Sequence, residues 1–174
     1  MPILRGPRVV LRSLQREDRD RLRAIMAEPT VAPWFGFGGP DVAVDSWLDA
    51  DQWTRQLAIL VDGAVVGSIQ YSEEQDPDYP HASIDLFLDT AHQGRGFGTE
   101  AIRVVARHLF EERGHHRLII DPSAANERAI RAYTSVGFRP VGVMRRYERG
   151  PDGTFHDGLL MDMLADELID AGPA

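Results

Sequence analysis

At 174 residues, with 43% apolar and 26% charged side chains, the chain has the size and balance of one globular domain spanning 1–174. Its formal charge is −8, from 27 acidic and 19 basic residues, and every basic residue is Arg, an acidic balance that argues against nucleic acid as a partner. The absence of cysteine excludes disulfides, thiolate metal sites and an acyl-cysteine intermediate, and no apolar run approaches the ~18–20 residues that span a membrane. None of the six histidines has the i,i+4 helical spacing of a paired zinc site, so no metal is expected. No charged-then-apolar leader precedes Leu4, which makes a cytoplasmic address the expectation.

In chain order, Val9-Val10-Leu11-Arg12 reads as an opening strand. Gln15 to Asp18 leads into a helix with Leu22, Ile25 and Met26 on one stripe, stopped by Pro29. Val31 to Pro40, rich in Pro, Gly and aromatics, reads as a loop, and a second helical stretch is predicted near 44–54. Leu57 to Leu60 and Val65 to Tyr71, joined by Asp62-Gly63, form a predicted hairpin. Glu73 to Pro80 is an acidic connection. Ala82, Ile84, Leu86 and Leu88 then alternate with Ser83, Asp85, Phe87 and Asp89 at the period of a strand.

A helix from near Thr99 carries Ile102, Val105, Ala106, Leu109 and Phe110 at a 3.6-residue period and closes at Gly114. Arg117 to Asp121 is a short strand, and Asn126 to Val136 a helix stopped by Gly137. Val141 to Glu148 and Phe155 to Leu164 form a last hairpin around Pro151-Asp152-Gly153. The mixture of strands and helices, with one strand–helix–strand crossover, predicts an α+β domain with a mixed sheet.

The segment Gln93-Gly94-Arg95-Gly96-Phe97-Gly98 lies between a strand and a helix. Helix starts offer unpaired N–H groups, and glycine lets the backbone approach an anion, so this is the context of a pyrophosphate cradle. A P-loop needs a lysine, which the chain lacks, and a Rossmann fold needs more βαβ units than the chain has room for. A glycine-rich turn without a ligand stays open on this segment alone.

Two motifs narrow the choice. Gln93-x-x-Gly96-x-Gly98 resembles the acetyl-coenzyme A signature of the GNAT superfamily. Asn126-x-x-Ala129-x-x-x-Tyr133-x-x-x-Gly137-Phe138 is similar to that superfamily's next motif, in the expected order and separation. The resemblance covers nearly the whole chain. It implies a mostly antiparallel sheet, splayed at one parallel strand pair around Asp85 and Asp121, flanked by helices, with acetyl-coenzyme A in the gap.

It also implies cofactor contacts from Phe87, Leu88, Gln93, Gly94, Arg95, Gly96, Gly98, Thr99, Asn126 and Tyr133. A backbone N–H near Phe87 or Leu88 would stabilise the oxyanion, and Tyr133 would protonate the departing thiolate. Asn126, Ile130 and Tyr133 fall at i, i+4 and i+7, on one helical face.

Asp85 and Asp121 are acids on otherwise apolar strands, which requires a compensating partner; a bound cation and a buried Arg are both open. A narrower resemblance bears on the acceptor. Ser83-Ile84-Asp85, Asp121-Pro122-Ser123-x-x-Asn126-x-Arg128-Ala129-Ile130-Arg131-x-Tyr133 and Pro33-Trp34-Phe35-Gly36 resemble the aminoglycoside 6'-N-acetyltransferases. That resemblance implies that Asp85 and Asp121 contact a cationic small-molecule amine, and that an acid preceding the Asp85 strand serves as base. Glu73, Glu74 and Asp76 are the candidates there, with Asp85 also eligible. Trp34, Phe35 and Phe37 either line the acceptor pocket or pin a loop to the core.

Val9-Val10-Leu11-Arg12-x-Leu14-x-x-Glu17-Asp18 also resembles acetyltransferases of ribosomal-protein N-termini. A peptide acceptor and a non-catalytic coenzyme A sensor are therefore the alternatives. The chain is expected to be a monomer or homodimer.

Overall fold

The computed structural model describes residues 3–34, 44 and 53–170. Its frame is one eight-stranded sheet in the order β1-β2-β3-β4-β5-β6-β8-β7, formed by β1 (Leu4–Arg5), β2 (Val10–Ser13), β3 (Thr54–Val61), β4 (Ala64–Glu73), β5 (Ala82–Leu88), β6 (Arg117–Ile120), β7 (Arg139–Arg149) and β8 (Phe155–Leu164). Every neighbouring pair is antiparallel except β5 and β6, which are parallel. This is the mixed α/β architecture the two motifs imply.

Three α-helices flank the sheet among the described residues: α1 (Arg19–Met26), α2 (Phe97–Arg107) and α3 (Glu127–Thr134). The α1 stripe Leu22, Ile25 and Met26 is fully buried and packs with Val31, Val44 and Phe87. The α2 stripe Ile102, Val105 and Ala106 packs into the larger cluster with Leu11, Ile59, Ile69 and Ile84. Periodicity thus places both helices on the core, since a 3.6-residue apolar stripe has one face to bury. The chain enters α1 through Asp18, whose carboxylate takes Arg12 in two bonds of 2.6 and 2.8 Å and accepts the Gln15 N–H.

The β3–β4 hairpin turns at Asp62-Gly63, both at positive φ, as the two-residue turn demands. Some boundaries differ from the sequence reading. The two-residue β1 is too short for periodicity to show. α2 begins at Phe97 rather than Thr99 and continues into a π-helical turn over His108–Glu112. β6 stops at Ile120, so Asp121 sits just beyond the strand. The loop expected from Val31 begins with a 3-10 turn over Ala32–Trp34, and its remainder from 35 to 40 lies outside the described residues. Of the helix expected near 44–54, Val44 has helical backbone, Trp53 is in a turn and Thr54 belongs to β3; the rest lies outside them.

Candidate active site

The site begins as a defect in strand pairing. β5 and β6 are in register only at Ala82↔Leu118 and Ser83↔Ile119, and β6 then ends while β5 runs on to Leu88. From Ile84 onward the two strands part, and a cavity of about 760 Å³ opens between them. Its walls are Asp85 to Leu88 of β5, the glycine turn, Ile102 of α2, Asp121 to Ser123, and Asn126, Arg128, Ala129, Ala132 and Tyr133 at α3. Thr30, Val31 and Trp34 after α1, and Tyr147, Glu148 and Arg149 of β7, complete it.

One end is built for an anion. Gly94 and Gly96 have φ of +73° and +85°, a conformation that turns successive amides toward one side and that side chains with a Cβ resist. The turn leads into the eleven-residue α2, whose first-turn amides have no intrahelical acceptor. A Cβ on Gly96 would stand 3.0 Å from the Arg8 guanidinium, and one on Gly94 would stand 3.7 Å from that of Arg128. Arg128 donates to the Gln93 side-chain oxygen at 2.7 Å, and Arg8 and Arg95 both lie over the Phe97 ring. Arg8 is paired with Glu100 at 2.8 Å, so Arg95 and Arg128 are the cations beside this open helix start, which in a chain of net charge −8 fits the phosphates of coenzyme A.

Strand alternation decides which amide faces the gap. Asp89 donates its N–H to the Val66 carbonyl of β4, so Leu88, one residue back, turns its N–H and C=O away from β4. Gln93 Nε2 holds that Leu88 carbonyl at 2.7 Å, fixing the strand end against the turn. Asn126 caps α3 by accepting the Ala129 N–H at 3.1 Å, which directs the helix face bearing Ala129 and Tyr133 into the cavity.

The other end is acidic. Asp85 lines the cavity and is exposed there, while the surrounding protein crowds its carboxyl. Burial in this setting, reinforced by the charges of Asp121 and Glu148 and opposed by the Leu86 N–H, pushes its pKa up to about 6. Glu148 is half-buried and is likewise raised, by burial and by Asp121. Tyr147 is bound to Asp121, and that hydrogen bond, with burial and the nearby charges of Asp121 and Glu148, pushes the phenol up to about 12. Tyr133, 7% exposed, is raised well above the usual phenol range by burial and by Asp85 and Asp121. Its hydroxyl therefore stays protonated, on a side chain that lines the same cavity and feels the charges of Asp85 and Asp121.

Residues 8–139 match the family described as the acetyltransferase (GNAT) domain. The chain belongs to that family. It is 37% identical over 165 residues to an aminoglycoside N(6')-acetyltransferase type 1 of Klebsiella pneumoniae, covering 83% of this chain and 79% of the relative. Among solved structures, Mycobacterium smegmatis RimJ, in complex with CoA-disulfide, superimposes with a TM-score of 0.83 at 22% identity, covering 98% of this chain and 89% of its own. A Vibrio cholerae spermidine N-acetyltransferase, in complex with CoA and spermine, does so at 0.78 and 17% identity, covering 93% of this chain and 98% of its own. These two share the fold.

In this GNAT chain the cavity brings together Trp34, Asp85, Phe87, Leu88, Gln93, Gly94, Gly96, Gly98, Thr99, Asp121, Asn126 and Tyr133 of the residues singled out from sequence. Arg95 lies outside the lining and stacks on Phe97 at 5.2 Å, while its carbonyl accepts Arg8. Glu73, Glu74 and Asp76 are not brought to the cavity. Glu73 ends β4, where His115 Nε2 at 2.8 Å and Arg113 at 3.1 Å engage it and hold its carboxyl below the usual range against the opposing effect of burial. Glu74 and Asp76 accept backbone N–H groups of their own turn. Phe35 and Phe37 lie outside the described residues.

Sequence reasoning missed Thr30, Tyr147, Glu148 and Arg149, and quoted Arg128 without giving it a place in the site. Only Arg128 left a signal, two residues after the Asn126 cap. Among the described residues no group of three or more His, Asp or Glu side chains could hold a metal, and no helix is long and apolar enough to cross a membrane.

Proposed function

We propose that this chain transfers the acetyl group of acetyl-coenzyme A to the 6'-amine of an aminoglycoside, by direct attack within a ternary complex. The observation that carries this reading is one cavity lined by the glycine turn, by the carboxylates of Asp85, Asp121 and Glu148, and by the Tyr133 phenol. The 37% identity to an aminoglycoside N(6')-acetyltransferase over most of both chains supports the choice of acceptor.

Acetyl-coenzyme A supplies a thioester whose carbonyl carbon the acceptor nitrogen attacks. An ammonium has no lone pair, so a carboxylate must first take its proton; ionised Asp85 does this, directly or through one water. The Leu88 N–H, turned into the gap, donates to the carbonyl oxygen as charge develops there. Tyr133 delivers its phenolic proton to the departing sulfur. Two protons leave nitrogen and one is gained by sulfur, so one is released for each turnover.

Thiol release measured with kanamycin, spermidine and N-terminal peptides as acceptors tests the reading. Turnover with kanamycin is expected; turnover with peptides alone would overturn it in favour of a protein N-terminal acetyltransferase.

A further inference from the structure

The segment joining β5 to the glycine turn is held by a carboxylate that no step of the reaction uses. Asp89 is 2% exposed and does not line the cavity. Its Oδ1 accepts the His92 backbone N–H at 3.0 Å and the His92 ring Nδ1–H at 2.6 Å, and its Oδ2 accepts the Arg21 guanidinium. An ionised carboxylate only accepts, so Nδ1 is the ring nitrogen that carries a hydrogen. The main chain of Asp89 is equally engaged. Its N–H donates to the Val66 C=O at 2.8 Å, and its C=O takes the N–H groups of His92 and Gln93, both at 3.2 Å. Asp89 thus stands between Leu88, whose N–H is turned into the gap, and Gly94, where the cradle begins.

α1 and the residues just after it grip this segment from outside. Arg21 donates through Nε to the Val65 C=O at 3.1 Å while its Nη2 holds Asp89. Val65 pairs with Leu60 and Gly67 with Ile59, so Val66 is the surplus residue of a bulge in β4, and its C=O is the one that receives the Asp89 N–H. Past the last turn of α1, Glu28 Oε2 accepts the Thr90 N–H at 2.7 Å and the Thr90 hydroxyl at 2.5 Å. On the other side the His92 ring, fixed by Asp89, packs against Phe97 with 5.7 Å between centroids, and Arg95 lies over that same Phe97 ring. One carboxylate therefore connects α1 and the β4 bulge to the first residue of α2 and to a cation of the donor end.

We infer that Asp89 is a positioning residue, which holds the Leu88 N–H and the glycine turn in one fixed relation so that the thioester carbonyl and the phosphates of the donor are met together. The inference rests on coenzyme A occupying the glycine turn, and is independent of which amine is the acceptor. Burying a carboxylate costs desolvation that Arg21 offsets, and an apolar side chain of similar size would serve stability as well. What the carboxylate adds is direction. Three donors from two elements fix its plane, and with it the backbone on either side of Asp89. That matters at Leu88, because an amide stabilises the developing oxyanion only when it is already aimed at the place the oxygen will occupy.

Asp89→Asn keeps the size of the side chain but exchanges one acceptor for a donor, so either Arg21 or His92 loses its partner. Arg21→Gln removes the anchor on α1 and leaves the His92 contacts in place. Each variant is compared with the native chain by calorimetric titration of coenzyme A, by Tm, and by kcat and KM with whichever of kanamycin, spermidine and N-terminal peptides the native chain acetylates. Asp89→Asn is expected to weaken coenzyme A binding about tenfold and to lower kcat at saturating substrates about tenfold, with KM for the acceptor within about twofold and Arg21→Gln intermediate in both losses. A merely structural role would lower Tm and leave the coenzyme A affinity and kcat of the folded variants unmoved, and that result overturns the inference. Weakened coenzyme A binding with unchanged kcat also overturns it, because the Leu88 N–H would then not depend on Asp89. Should Asp89→Asn fail to fold, Arg21→Gln decides by the same two readouts. A native chain that binds no coenzyme A overturns the donor reading and the role of Asp89 together, whereas one that acetylates only spermidine or peptides overturns the aminoglycoside reading alone.

Discussion

Asp85 concentrates the conflict between stability and chemistry. Its folded pKa of about 6 lies above the ordinary 3.8, so the folded chain holds that proton more tightly than the unfolded chain does. The contribution to stability is therefore greatest below about pH 4 and is lost as pH rises through about 6. With allowance for water in the cavity, ionised Asp85 destabilises the empty fold by roughly 1 kcal/mol at neutral pH. Asp85→Asn is expected to raise Tm by about 2–4 °C at pH 7, with little gain at pH 4, while abolishing most turnover. Calorimetry at the two pH values checks the sign. The same group predicts an acid limb near pH 6 in kcat/KM, moving to lower pH in Asp121→Asn because one repelling charge is removed; a limb that stays in place would assign it to another group. Tyr133 is raised partly by these carboxylates, so an arriving cation also makes its phenol a better acid. Tyr133→Phe should lower kcat about 100-fold with coenzyme A affinity within about twofold, as read by calorimetric titration.

At the scale of elements, two turns do the positioning. Gly96 holds a φ of +85° that an L side chain resists, and its Cβ would meet Arg8. Gly96→Ala is therefore expected to weaken coenzyme A binding about tenfold, with the thermal transition shifted by only a few degrees. The β7 bulge, where Met144 pairs with Gly158 and Glu148 with His156, does for the acceptor end what the glycine turn does for the donor end. The first was legible and the second was not, for a physical reason. A glycine-rich turn before an amphipathic helix is a local pattern, as are the stripes of α1 and α2 and the Asp62-Gly63 hairpin. A bulge is settled by pairing with a second strand, so the alternation of Met144 to Glu148 gives no sign of which side chains turn inward. Glu73 shows the same limit from the other side. An acid at a strand end reads alike whether its partner is a ligand or, as here, Arg113 and His115 some forty residues away. Asp121 and Tyr133, which both line the cavity, are singled out in the sequence because motif spacing encodes a non-local arrangement that periodicity alone does not.

Across the whole molecule the cavity is electrically divided. Arg95 and Arg128 flank the glycine turn, where Arg8 is already paired with Glu100, while Asp85, Asp121 and Glu148 occupy the far end, within a chain of net charge −8. On the proposed reading, a polyanionic donor and a polycationic acceptor would be drawn to opposite ends, with neither competing well for the other's place. Such sorting acts through a field that salt screens, with a Debye length of about 10 Å at 0.1 M and about 3 Å at 1 M. The acidic end is open to solvent through the cavity, so its field is exposed to that screening. Raising ionic strength from about 0.05 to 0.5 M is expected to raise KM for a polycationic acceptor several-fold, and to raise KM for a monoamine by much less. Glu148→Gln should flatten the dependence for the polycation by removing one of the interacting charges. Steady-state kinetics in sodium chloride series measure both slopes. Equal slopes for polycation and monoamine would mean that salt acts on the donor end, where phosphates meet arginines, and that the acidic wall contributes shape rather than charge.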